Sequence, residues 1–222
     1  MHSSDKKRKH SLGEPGGVGL FAKKPRTSSK VTDLEMRVVA GCFHSFIKGK
    51  GKDGEDTLYA SGSNEYGQLG LGDVRKIAEW TEAPVPKDFT IEKVMAGYRH
   101  TFLKGKGKDG EDKLYASGKN HHGQLGVGDR RKRKKFTEVS VPQGFSVEKV
   151  VVGDNHSFLK GKGKDGEDKL YASGWNRYGQ LGLGDRRKRK KFTEVSVPQG
   201  FSVEKVVVGD NHSFLKGKGK DG

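Results

Sequence analysis

The chain has 222 residues, 34 glycines, 31% hydrophobic residues and a formal net charge of +16. Its one cysteine, Cys42, excludes an intrachain disulfide and fits a reducing compartment. No apolar stretch approaches the roughly 18 residues of a membrane helix, so a soluble intracellular protein with no membrane partner is expected, and the positive excess favours nucleic acid, acidic protein surfaces or anionic lipid as partners.

Residues 1–33 hold Ser, Gly, Pro and basic residues with little apolar content, the composition of a disordered basic tail. "DKKRKH" at 5–10 and "AKKPR" at 22–26 contribute Lys6, Lys7, Arg8, Lys9, Lys23, Lys24 and Arg26. Two such clusters around a polar spacer look like a bipartite nuclear import signal. They predict an import receptor as partner and a nuclear location, with the cytoplasm as the alternative.

From residue 34 onward the chain repeats itself. "GQLG" begins at Gly67, Gly123 and Gly179, and "LYASG" at Leu58, Leu114 and Leu170, a period of 56 residues. "AGCFHSF", "AGYRHTF" and two copies of "VGDNHSF" keep the same step from Ala40, Ala96, Val152 and Val208. A fixed period of this size predicts units that each bury a face against the next.

Within a unit, "VEKVVVG" is a β-branched run closed by glycine, followed by "HSFLK", the loop "GKGKDGED" and "KLYASG". An Asp-Gly cluster between two alternating runs reads as a hairpin with an enlarged, solvated loop. "GQLGLGD" should form a tight, partly buried bend around Leu181 and Leu183, and "FTEVSVP" a fourth strand stopping at Pro198. No 3.6-residue apolar period is sustained, so helix should be scarce. Four short strands per unit predict an all-β chain of propeller blades.

The combined "GxxHSF … LYASGxNxxGQLGxGD" pattern resembles the repeat of the regulator of chromosome condensation family, over residues 34–222. Gly62, Asn64, Gly67, Gln68, Leu69, Gly70, Gly72 and Asp73, with their equivalents, carry the likeness. The resemblance implies a seven-bladed β-propeller. This chain departs from that plan, with three complete units and a fourth that stops after "HSFLKGKGKDG", and residues 186–222 repeat residues 130–166 without a difference. The expectation is therefore a partial propeller of four-stranded blades. It would be a piece of a longer array, an arc closed by a second chain, or a short arc, with self-association through open blade faces.

No catalytic constellation is legible: no serine sits in a nucleophile elbow, and "GKGKDGED" lacks the helix and Lys-Ser/Thr of a phosphate cradle, so neither a cofactor nor a metal is expected. The asparagines of the bend should bond local backbone. His44, His100, His156 and His212 recur at one point of each unit and are read as strand-start residues bonding to backbone across a blade junction. Asn155-His156-Ser157 and Asn211-His212-Ser213 match the glycosylation sequon by chance, since no signal peptide is evident.

The two residues before each histidine vary on the fixed frame, where propellers place specificity. In the chromatin-associated members of the family, which catalyse nucleotide exchange on the Ran GTPase, acidic residues at this point contribute to the GTPase-binding face. The resemblance therefore implies a face made of Tyr98, Arg99, Asp154, Asn155, Asp210 and Asn211. Turn-capping aspartates are the competing reading. The corner that differs between units, Lys119 and His122 against Trp175 and Tyr178, is read as tolerated drift.

Arg130, Arg131, Lys132, Arg133, Lys134 and Lys135, and again Arg186, Arg187, Lys188, Arg189, Lys190 and Lys191, should form surface loops free of nearby acid. With neither interleaved aromatics nor a recognition helix, their contact with DNA or chromatin would be backbone-directed, non-specific and salt-sensitive. The expected function is a chromatin-associated exchange factor-like propeller acting on a Ran-like small GTPase. The alternative is a non-catalytic scaffold that binds proteins or nucleic acid through its basic loops.

Overall fold

A computed structural model describes residues 37–51 and 53–219. The tail and its import-signal residues lie outside the described residues. Among the described residues every regular element is a β-strand. The first sheet holds β1 (Arg37–Ala40), β2 (His44–Lys50), β3 (Asp56–Gly62) and β4 (Ile77–Ala83). The second holds β5 (Phe89–Ala96), β6 (His100–Gly107), β7 (Asp112–Gly118) and β8 (Arg133–Glu138). The third holds β9 (Ser146–Val152), β10 (His156–Lys162), β11 (Asp168–Gly174) and β12 (Arg189–Glu194). β13 (Ser202–Val208) and β14 (Ser213–Lys218) form a two-stranded sheet. Neighbouring strands are antiparallel and follow chain order in each sheet, so each blade is a meander. The first strands of successive sheets touch in turn, β1 to β5 to β9 to β13, which sets them on the inner side of a fan.

The core lies between blades. Phe46, Leu58 and Leu69 of the first sheet's unit pack with Phe89, Ile91 and Leu103 of the second. Phe102, Leu114 and Leu125 pack in turn with Val147, Leu159 and Phe192. A single blade would leave this surface in water, and stacking buries it at about 25 cal/mol per Å² of apolar area. Gly126 shows why the bend is glycine-rich. Its φ is +71°, and a Cβ there would enter the ring of Phe192 from the next blade.

The fourth strand departs from the expected "FTEVSVP". It begins three residues earlier, at Arg133 and Arg189, and ends at Glu138 and Glu194. The cause is the pairing of Gly118 with Arg133 and Gly174 with Arg189 across a register shift, which draws the last three residues of each basic segment into the ladder. The segment also clasps the preceding blade, since Gly72 N–H donates to the Lys134 carbonyl and Gly128 N–H to that of Lys190, both at 2.8 Å.

The bend is built as its composition suggests. Asn64 accepts from Leu69 N–H at 3.0 Å and donates to Asp73 Oδ1 at 3.0 Å, and Asn120 and Asn176 repeat both contacts. The last carboxylate of each "DGED" loop reaches the next blade. Asp56 accepts from Ile91 N–H of the second blade, and Asp112 and Asp168 accept from Ser146 Oγ and Ser202 Oγ at 3.1 and 2.9 Å.

Candidate functional site

The turns β1–β2, β5–β6, β9–β10 and β13–β14 converge on the inner side of the fan. Cys42 N–H donates to the Gly97 carbonyl (3.2 Å) and Tyr98 N–H to that of Gly153 (3.4 Å), which fixes the spacing of adjacent turns. Cys42, Tyr98, Asp154 and Asp210 thereby line one depression of about 240 Å³. Residues 56 apart in sequence become neighbours because equivalent turns of successive blades face the same axis.

Arg99 anchors a polar rim beside it. Its guanidinium lies over the rings of Tyr66, Tyr98 and Phe43 at 5.2, 5.3 and 5.8 Å, and Nη1 donates to Tyr66 Oη at 3.1 Å. Phe43 meets Tyr98 edge-on at 4.9 Å. Lys119 Nζ sits 5.7 Å from the Tyr66 ring and donates to Asn155 Oδ1 at 2.8 Å. Asn155 Nδ2 in turn donates to Asp154 Oδ2 at 2.5 Å, leaving Asp154 Oδ1 buried without a partner. Burial raises the Asp154 carboxyl and nearby Asp210 adds to the rise, while Lys119 and Arg99 oppose it.

Of the six residues assigned to a GTPase face, Tyr98, Asp154 and Asp210 share the depression. Arg99 and Asn155 belong to the rim, and Asn211 is exposed. Asn155 is 6% exposed. Phe43, Tyr66 and Lys119 escaped the sequence reading. Phe43 stands in the variable pair before His44, whereas Tyr66 and Lys119 hold positions that vary inside an invariant bend, read there as drift.

The histidines do not bond to backbone as expected. His44 Nε2 reaches Thr101 Oγ1 of the next blade (2.8 Å), and His100 and His156 reach Ser157 and Ser213 Oγ (both 2.9 Å). Thr101 and Ser157 donate onward to the Gln68 and Gln124 carbonyls at 2.8 and 2.9 Å. A hydroxyl that spends its proton this way accepts from Nε2–H of His44 and of His100, and Nδ1 of His44, His100 and His156 is buried without a partner. Among the described residues no three His, Cys, Asp or Glu side chains gather as a metal-ligand set.

The basic segments are also corrected: acid does lie nearby. Arg133 grips Asp129 through Nη2–Oδ2 at 2.9 Å and Nη1–Oδ1 at 3.1 Å, and Arg131 meets the same carboxylate at 3.3 Å. Arg189 pairs with Asp185 at 2.8 Å. The Arg133 hydrogen bond holds the Asp129 carboxyl well below its usual range, and Arg189 lowers Asp185 likewise. Lys132 Nζ reaches the Glu65 carbonyl at 3.5 Å. Arg130, Lys134, Lys135, Arg186, Arg187, Lys188, Lys190 and Lys191 are exposed and form no ion pair among the described residues.

The description "Regulator of chromosome condensation (RCC1) repeat" matches residues 55–103, 111–159 and 167–215, more than half of the chain. The chain belongs to the RCC1 repeat family. Each RCC1 repeat begins one residue before the third strand of one blade and ends in the second strand of the next, so the covalent unit straddles a blade boundary. The human X-linked retinitis pigmentosa GTPase regulator is 31% identical over 176 residues, 79% of this chain and 16% of that protein. Yeast RCC1 (Prp20) bound to Kap60 superposes with a TM-score of 0.64 at 22% identity, over 82% of this chain and 42% of that one. Prp20p from Saccharomyces cerevisiae, described with its binding to Gsp1p and histones, superposes at 0.62 and 22% identity, over 82% and 43%. The chain thus spans less than half the length of these RCC1-type relatives.

Proposed function

We propose that this RCC1-type chain acts in guanine-nucleotide exchange on a Ran-type small GTPase, through the rim of Tyr98, Arg99, Asp154, Asn155, Asp210 and Asn211. The observation that carries the reading is the meeting of Asp154 and Asp210 at one depression, beside Arg99 and Lys119. Exchange needs no covalent step. It requires tighter binding of the nucleotide-free GTPase than of the loaded form. When nucleotide leaves, the GTPase's phosphate-binding lysine and backbone N–H groups lose their anionic partner, and the Asp154 and Asp210 carboxylates complement that state. The names of the human relative, a GTPase regulator, and of Prp20p, described with Gsp1p, support the reading. The test is release of a fluorescent GDP analogue from a Ran-type GTPase with the full chain. Acceleration that falls at least about tenfold in Asp154→Ala with Asp210→Ala is expected, and no acceleration by the parent chain overturns the reading.

The unpaired cations of the basic segments favour a second reading, a non-catalytic scaffold that contacts chromatin or DNA non-specifically. Salt-sensitive DNA binding without nucleotide release would select it. The basic tail would serve either role as a nuclear import signal read by an import receptor.

A further inference from the structure

Between the second and third blades the aromatic and cationic side chains assemble differently from the first junction. His122 and Trp175 stack at 5.3 Å with an interplanar angle of 18°, and Tyr178 meets Trp175 edge-on at 5.5 Å. These rings, with Arg177, Arg186 and Lys188, line a groove of about 660 Å³, within the roughly 300–1,000 Å³ of small-ligand sites. The platform is held from below: Trp175 N–H donates to the Asn155 carbonyl at 2.8 Å, and Tyr178 N–H to Gln180 Oε1 at 3.1 Å. Tyr178 remains 61% exposed. Arg177, Arg186 and Lys188 are exposed and form no ion pair among the described residues. Burial, with the charge of Lys188 added, lowers the His122 imidazole to about 4, so at neutral pH it backs Trp175 as a flat uncharged ring.

The first junction has the same backbone and satisfies itself. Lys119 stands where Trp175 stands one period later, and Tyr66 is covered by Arg99 and Lys119. Glu65, whose place at the second junction is taken by His121, lies 3.5 Å from Lys76 and 4.0 Å from Arg99. Trp175 in the place of Lys119 and Arg177 in the place of His121, with His121 where the first junction has Glu65, thus exchange an internally neutralised corner for an open ring among unpaired cations.

We propose that this groove binds single-stranded nucleic acid, one base stacking on the exposed Tyr178 ring, which Trp175 braces edge-on, while Arg177, Arg186 and Lys188 take the flanking phosphates. A ring set among cations is the combination that grips an unpaired base and its backbone. Duplex DNA keeps its bases stacked and offers only phosphates to such a site, and an acidic peptide has no base to lay on the rings. The inference refines the nucleic-acid reading of the basic segments and does not depend on GTPase exchange.

The experiment is fluorescence anisotropy of the full chain with a labelled single-stranded oligothymidylate and with a mixed-sequence duplex, each at low and physiological salt. Tyr178→Ala is expected to weaken the single strand about tenfold and leave the duplex unchanged, and Tyr178→Phe, which keeps the ring, to bind as the parent does. Arg186→Gln with Lys188→Gln is expected to weaken both ligands and make the single-strand salt dependence shallower by roughly one to two. Equal loss for single strand and duplex in Tyr178→Ala, or no loss for either, overturns the stacking site while leaving the basic-segment reading intact. An oligoglutamate peptide bound with the same dependence on Tyr178 overturns it in favour of an acidic protein. Absence of binding to any nucleic acid overturns both readings.

Discussion

His100 Nε2 lies 2.9 Å from Ser157 Oγ, across the boundary between the second and third blades, and both residues are fully buried. Two of the same links, from His44 to Thr101 and from His156 to Ser213, tie the other boundaries. Burial lowers the imidazoles of His44 and His156 from 6.5 to about 4 and that of His100 to about 3, where the neighbouring histidines add to the effect.

A pH dependence follows from the sign of these shifts. The folded imidazoles stay neutral while the unfolded chain takes up protons near pH 6.5, so their contribution is full above that pH and is lost as pH falls toward 4. At pH 5 each such histidine costs on the order of 2 kcal/mol. Urea midpoints measured at pH 7 and pH 5 should differ markedly in the parent chain. His100→Gln, which keeps an N–H donor, should narrow that difference, and an unchanged gap would remove the histidines as its cause.

Ser157→Ala deletes the hydroxyl between His100 and the Gln124 carbonyl. Two buried groups lose a partner, and a cost of about 1–3 kcal/mol is expected at pH 7 by denaturant unfolding. Ser213→Ala should cost less, because the Ser213 hydroxyl is only partly buried.

Gly126→Ala should destabilise the chain by about 2–4 kcal/mol, combining positive φ with a Cβ driven into the Phe192 ring. Gly110→Ala provides the control. Its φ is +79° but nothing lies within 4 Å of the added Cβ, so about 1 kcal/mol is expected. Thermal unfolding of the pair separates blade packing from backbone conformation.

The basic segment should divide by role. Arg133→Gln breaks a two-point grip on Asp129 in which the arginine side chain is 20% exposed, and should lower stability by about 1 kcal/mol. Lys134→Gln and Arg130→Gln should change stability by less than about 0.5 kcal/mol while weakening DNA binding at low salt. Comparable DNA losses in all three, with equal stability, would show the segment to be one uniform charge cloud.

What the sequence determined by itself was everything carried by short-range chemistry and by repetition. The bend is closed by contacts from Asn64 to Leu69 and Asp73, a few residues away, so its glycines and asparagine could be read directly. The strand order followed from alternation and turn residues, and the repeated "GQLGxGD" carried the family and the blade architecture. Tertiary structure decided which faces of the repeats meet. His44 and Thr101 are 57 residues apart, one period plus one, and only the stacking of blades brings the ring to the hydroxyl. The recurring hydroxyl after each histidine was a signal, but without the packing its direction could not be assigned. The same holds at the corner read as drift: Lys119 and Trp175 occupy one place in the repeat, and what each does depends on its neighbours across the junction. Composition sees a charge or a ring, whereas binding depends on which other charges and rings the fold sets beside it, and those lie a full blade away.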